Sequence, residues 1–188
     1  MAAHGFKPLR HLTGGQIRTS DYLIAIAYDT AIFTGDPVKL VAGGGIELAA
    51  AGNIILGIFQ GVSWTASDGE VKFSRYWPGA QSGATNVSAL VIDDPYVTYS
   101  CFDDGDSDFL TIADVGFSGD HVAGSGSTVT GISAVKLDTS SASATAAGFK
   151  IIRAVTRPGN DYGTANGSQV EVEVMVNEPF FAHNTAGI

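Results

Sequence analysis

Gly52-Asn53-Ile54-Ile55-Leu56-Gly57-Ile58-Phe59-Gln60-Gly61-Val62-Ser63-Trp64 is apolar at nearly every position from Ile54 to Val62. Both faces of such a run are hydrophobic, which predicts a strand covered on both sides. Ser74-Arg75-Tyr76-Trp77-Pro78-Gly79 and Ala89-Leu90-Val91-Ile92-Asp93-Asp94-Pro95 extend the pattern. The whole stretch reads as consecutive buried strands joined by tight turns that carry no chemistry.

Outward from this stretch the signal stays β. Gln169-Val170-Glu171-Val172-Glu173-Val174-Met175-Val176-Asn177 alternates, with four valines on one face and a mostly polar second face. That predicts a half-buried antiparallel strand. Asp36-Pro37-Val38-Lys39-Leu40-Val41 is a turn entering a strand, and Gly43-Gly44-Gly45 closes a hairpin toward Ile46-Glu47-Leu48. Residues 71–77, 88–92, 96–102, 109–115, 128–137 and 149–155 continue the series. Asp68-Gly69, Asp104-Gly105 and Pro158-Gly159 supply turns between runs. The Ala-rich segment 138–148 breaks the pattern: Asp138 or a following Ser or Thr can cap a short helix or turn that Gly148 ends. The expected fold is all-β, an antiparallel sandwich or barrel (jelly-roll-like) with an extended N-terminal arm and at most one short helix. The arm is residues 1–20 and the β-rich body 21–188. Within the body a smaller β-subdomain is expected at about 21–80 and a main β-domain at about 81–180.

A chain of 188 residues can bury a real core without disulfides. Its single cysteine, Cys101, can form no intrachain bridge and reads as a small buried hydrophobe. Charged residues are only 15% of the chain against 45% hydrophobic ones, so much of the surface is either Ser, Thr, Asn and Gly or covered by partners. The net charge of −9 disfavours a general nucleic-acid binder, which needs clustered Lys and Arg. No apolar run is long enough for a bilayer span, and no apolar segment follows Met1-Ala2-Ala3-His4-Gly5 as a secretory signal requires. The expectation is a soluble product assembled in a cytoplasm, with no membrane or nucleic-acid partner.

Charge is unevenly spread. Residues 1–20 hold Lys7, Arg10 and Arg18, with His4 and His11, and no acid. Between Arg75 and Lys136 no Lys or Arg occurs, while Asp93, Asp94, Asp103, Asp104, Asp106, Asp108, Asp114 and Asp120 do. A basic arm can meet an acidic body between subunits, reach an acidic partner, or fold onto its own chain. We take Lys7, Arg10, His11 and Arg18 as the candidate contact arm.

The search for chemistry returns little. Asp104-Gly105-Asp106-Ser107-Asp108 has the spacing of a calcium loop, but an EF-hand needs Gly and Glu where Phe109 and Val115 stand. A looser calcium site using Asp104, Asp106 and Asp108, with Asp103 and Asp114, competes with the favoured reading of a solvated hairpin loop. The four histidines are scattered, and neither a nucleophile elbow nor a P-loop is present. No catalytic residue, cofactor or firm metal site is expected. Trp64, Tyr76 and Trp77 sit among many aromatics and read as core or subunit interface, with a sugar-stacking platform as the alternative.

The glycine-punctuated strand 54–62, the Tyr76-Trp77-Pro78-Gly79 corner and Ala89-Leu90-Val91-Ile92-Asp93-Asp94-Pro95 together resemble the head decoration, or cement, proteins of tailed bacteriophages. Thr34-Gly35-Asp36-Pro37-Val38-Lys39-Leu40, Phe149-Lys150-Ile151-Ile152, Pro158-Gly159-Asn160-Asp161-Tyr162-Gly163 and Val176-Asn177-Glu178-Pro179-Phe180 extend the likeness over most of residues 30–180. The first 20 residues and the loop 103–108 have no counterpart in it. The resemblance implies a non-enzymatic virion protein on the outer surface of an expanded capsid. There it would bridge neighbouring major capsid protein subunits, commonly as a homotrimer. The alternatives are a tail or fibre component and a carbohydrate-binding β-sandwich module on the virion surface.

Overall fold

The computed structural model describes residues 4–106, 108–145, 147–163, 169–177 and 179–181. The described chain is all-β. Its strands are β1 (Lys7–His11), β2 (Ser20–Tyr22), β3 (Ile32–Phe33), β4 (Pro37–Leu40), β5 (Ile46–Leu48), β6 (Gly57–Thr65), β7 (Val71–Ser74) and β8 (Tyr76–Trp77). They continue as β9 (Thr85–Ile92), β10 (Val97–Phe102), β11 (Ser118–Gly119), β12 (His121–Val122), β13 (Lys136–Leu137), β14 (Phe149–Ala154) and β15 (Glu171–Val176).

Two large sheets organise the molecule. One has the order β1-β10-β15-β14-β11; the other runs β2-β9-β6-β4-β5, with β7 added on β6. The ladders within both sheets are antiparallel. The small pairs β3-β8 and β12-β13 flank them.

Two hydrophobic cores follow from the alternation of these strands. One packs Val97, Tyr99 and Cys101 of β10 and Val172, Val174 and Val176 of β15 against Phe149, Ile151 and Leu137. The other packs Phe59, Val62 and Trp64 of β6 and Val87, Ala89 and Val91 of β9 against Ile24, Ile32, Val38 and Trp77. The strand apolar on both faces explains how they meet. Ile58 and Ile92 enter the first core, while their neighbours Phe59 and Val91 enter the second. The change from one core to the other therefore falls inside β6 and β9. It also leaves no room beside Gly57, where a Cβ would lie 2.1 Å from the Ile92 carbonyl oxygen.

The hairpin at Gly43-Gly44-Gly45 forms as expected. Val41 N–H donates to Gly45 O, and Gly43 and Gly44 hold φ of 98° and 81°, which favours residues without a Cβ.

Two expectations are corrected. The described part of the arm, residues 4–20, is not a free extended segment. Phe6 stacks on Phe149 at 4.0 Å within the first core, and Lys7–His11 is the edge strand of the five-stranded sheet. A buried aromatic anchor immediately before the basic residues ties the segment down. Segment 138–148 takes the turn of the two forms expected for it, with no helix among its described residues; Ala146 lies outside them. Asp138 Oδ1 does accept from Ser140 Oγ and Ser141 N–H. However, Ser143 then exchanges two backbone hydrogen bonds with Ser118, which pulls the chain onto β11. Segment 109–115, read as a strand, instead holds a 3₁₀ turn at Ile112–Asp114 closed by a capping box between Thr111 and Asp114.

Candidate partner-binding face

The outer face of the five-stranded sheet collects much of the chain's positive charge. The register sets Lys7 opposite Ser100, Ser100 opposite Glu173, and Glu173 opposite Arg153. The next row runs Arg10, Thr98, Met175 and Lys150. Opposite residues in antiparallel strands share a face, so these side chains lie together. With Arg157, which pairs with Glu171, the face holds half of the chain's ten Lys and Arg residues.

The carboxylates beneath them are buried. Glu173 is 2% exposed, and its two oxygens accept from Arg10 Nε at 2.7 Å and Arg153 Nε at 2.8 Å. Burial alone would raise its pKa, but the bonds from Arg10, Thr98 and Arg153 outweigh it and hold the carboxyl below its usual range. Glu171 pairs with Arg157 and, at 3.3 Å, with His4 Nε2. The Arg157 guanidinium also lies 5.7 Å from the centre of the Phe102 ring. The half-buried strand expected at 169–177 is thus buried on both faces. It is the central strand of its sheet; arginines from β1 and β14 fold over Glu173, and Arg157, just past β14, folds over Glu171. Lys7 and Lys150 make no ion pair among the described residues and remain exposed.

Of the four residues taken as a contact arm, two are spent within the protomer. Arg10 is tied to Glu173. His11 accepts the backbone N–H groups of Thr13 and Gly15 on Nδ1, at 3.3 and 3.2 Å, so the ring proton sits on Nε2 and is donated to Asp94 at 3.0 Å. The match between a basic segment and an acidic body is therefore made inside one chain at these positions. Lys7 stays on the open face. Arg18, also exposed, lies elsewhere, on a cleft of about 560 Å³ with Asp93, Asp94, Tyr96 and Phe181. Asp93 there accepts from Ser20 Oγ and from the Tyr22 hydroxyl at 2.7 Å. Burial, with that contact added, raises the tyrosine pKa.

Trp64 and Trp77 are core residues, not a subunit interface. They meet edge to face at 5.8 Å in the second core, and Trp77 Nε1 donates to Tyr28 O. Tyr76 is half-buried and stacks on Phe33. A sugar platform made of these tryptophans is ruled out by their burial. Among the described residues the exposed phenylalanine and tyrosine rings are Phe73, Tyr96, Phe117 and Phe181, which hydropathy alone could not separate from the buried ones.

The described residues of the acidic loop do not gather into a cation site. Asp104 Oδ1 accepts from Thr139 Oγ1, and Asp106 Oδ1 accepts from Asp108 N–H. Their oxygens brace the local chain. Among the described residues no group of three or more His, Cys, Asp or Glu side chains is placed to hold a metal ion. Asp103 is different: it is buried, Oδ1 accepts from Val170 N–H, and Oδ2 has no partner among the described residues. Burial pushes its pKa up to about 6. Cys101 is buried beside it, and burial raises its thiol pKa too, as suits a packing residue and not a nucleophile.

Compared with known proteins, the chain matches no family model, no curated protein and no solved structure.

Proposed function

We propose that this protein is a non-enzymatic capsid decoration protein of a tailed bacteriophage, binding the outer surface of the capsid and bridging major capsid protein subunits. The observation that carries the reading, beside the sequence resemblance, is the ionic face of the five-stranded sheet. It offers exposed Lys7 and Lys150 beside arginines held rigidly by buried glutamates, on a chain that is otherwise strongly acidic. Mechanical reinforcement needs no reacting group. It needs a stiff body and contacts repeated by symmetry, so that weak sites add through avidity. Two cores joined through β6 and β9 supply such a body, and a homotrimer on the capsid lattice would supply the repetition.

The test is co-sedimentation of purified protein with expanded shells that lack it. Saturable binding at a multiple of the icosahedral sites supports the reading. Lys7→Glu with Lys150→Glu should weaken binding at least about tenfold, since reversing two charges turns attraction into repulsion. A glycan-binding role on the virion surface is favoured by one observation, the cleft where exposed Tyr96 and Phe181 flank Asp93 and Asp94. Shell binding untouched by the reversals, together with loss of glycan binding in Tyr96→Ala, would favour that reading instead.

A further inference from the structure

The outer face of the second sheet presents a different surface. In its upper part the strand order is β2-β9-β6-β7. Phe73 on β7 stands opposite Ser63, and Ser63 opposite Ser88. Gly61 stands opposite Leu90, and Leu90 opposite Asp21. The small residues Gly61, Ser63 and Ser88 therefore floor a hollow of about 510 Å³, with Phe73 rising at one edge.

Phe73 is 82% exposed, and Val71 and Leu90 beside it are also exposed. A phenylalanine this open on a sheet face, next to further apolar side chains, marks a contact surface. Gln60 also lines this hollow. Two opposite charges complete the rim. Arg75 follows β7 at the Phe73 edge, and Asp21 on β2 lies at the far edge, its Oδ1 held by Ser88 Oγ at 2.7 Å. Neither makes a salt bridge among the described residues.

We propose that this face is a two-fold interface with a second copy of the chain. A knob and a hollow side by side on one surface are self-complementary. So are a positive rim on β7 and a negative rim on β2. A two-fold axis parallel to the strands reverses the strand order of the facing copy. It sets Arg75 of one copy against Asp21 of the other, twice. The same operation sets each Phe73 over the β2 edge of the facing copy, bordering the floor of small residues. Three strand spacings separate the two rims, roughly 14 Å, so the two symmetry-related rings flank the hollow from opposite edges. The contact does not depend on the virion reading, because its test uses the purified protein alone.

Sedimentation velocity from micromolar to hundreds of micromolar concentration reads it directly. The wild-type species at high concentration should have twice the mass of the Phe73→Asp variant. Arg75→Asp and Asp21→Arg should each raise the dissociation constant of this step at least about tenfold. The double reversal should return it to within about threefold of wild type. All these positions are exposed, and Phe73→Ser checks that the effect follows the lost ring rather than the added charge. Near-ultraviolet circular dichroism confirms that each variant is folded. Equal masses for wild type and Phe73→Asp across the range, or a double reversal no better than either single one, would overturn the proposal.

Discussion

On the five-stranded sheet the outward side chains are Lys7, Arg10, Lys150 and Arg153 over two buried glutamates; on the second sheet they are Gly61, Ser63 and Ser88 beside an open Phe73. Both faces sit on a hydrophobic core of the same kind, so what differs is what the outward residues do for the protomer. The first face is satisfied internally at its centre and open only at its lysines. The second leaves an open apolar ring and two charges that make no salt bridge among the described residues. A charged face held by its own acids presents a rigid field. A small-residue face with a protruding ring presents shape.

Changes beneath or within these faces should separate the two plans by size of effect. The largest concerns the core under the second face. Trp77→Ala removes a fully buried ring and should cost about 3–5 kcal/mol in urea unfolding, well above any outward substitution. A loss under about 1 kcal/mol would mean that this core is not packed as described.

The arginine clamp comes next. Arg10→Ala with Arg153→Ala strands the Glu173 carboxylate, which is 2% exposed. Both arginines are about half exposed, so the cost should fall below that of a fully buried pair, at about 2–3 kcal/mol. Adding Glu173→Gln should recover part of it. If the two arginines can be removed without loss, the first face is not internally satisfied and the contrast with the second fails.

Acid titration sharpens the same point. Glu173 has a lowered pKa in the folded protein, so its contribution is present above the unfolded value and is lost as pH falls through the lower folded one. Asp103 has the opposite sign. Its folded pKa of about 6 lies above the ordinary 3.8, so the folded state holds the proton more tightly, and stability falls as pH rises from about 4 to about 6. Asp103→Asn keeps the acceptor for Val170, removes the buried charge, and should add about 1–3 kcal/mol at neutral pH while flattening that slope. A slope unchanged in the variant would assign the titration elsewhere.

The smallest stability effects are expected on the open positions. Lys7→Glu, Lys150→Glu and Phe73→Asp should each change folding stability by less than about 0.5 kcal/mol. On the proposals above, their consequences belong to binding, the lysines to the shell and Phe73 to self-association. A marked loss of stability in any of them would show that the residue is spent inside the protomer.

Much of this architecture could be read from the chain. The run Ile54–Val62 announced a strand with two apolar faces, and those two faces prove to serve two cores. Gly43-Gly44-Gly45 announced its hairpin. Three features were hidden for physical reasons. Alternation in β15 identified the polar face but not its burial, because Arg10 and Arg153 come from strands more than a hundred and about twenty residues away in sequence. Charge in the first 20 residues suggested an arm, because a single buried ring, Phe6, carries no periodic signal. Trp64, Trp77 and Phe73 look alike in hydropathy, and only strand register separates the two in the core from the one outside. The open charge of Lys7 was legible in the sequence, whereas Lys150, across the same face, emerged only once β1, β10, β15 and β14 were seen as one sheet.

The account turns on the ionic face as the surface that meets the capsid. Stoichiometric co-sedimentation with expanded shells lacking the protein, comparing wild type with the Lys7→Glu, Lys150→Glu double variant, tests it most directly. The account predicts saturable wild-type binding at a multiple of the icosahedral sites and at least about a tenfold weaker variant of unchanged fold. No wild-type binding, or equal binding by the two proteins, would contradict it.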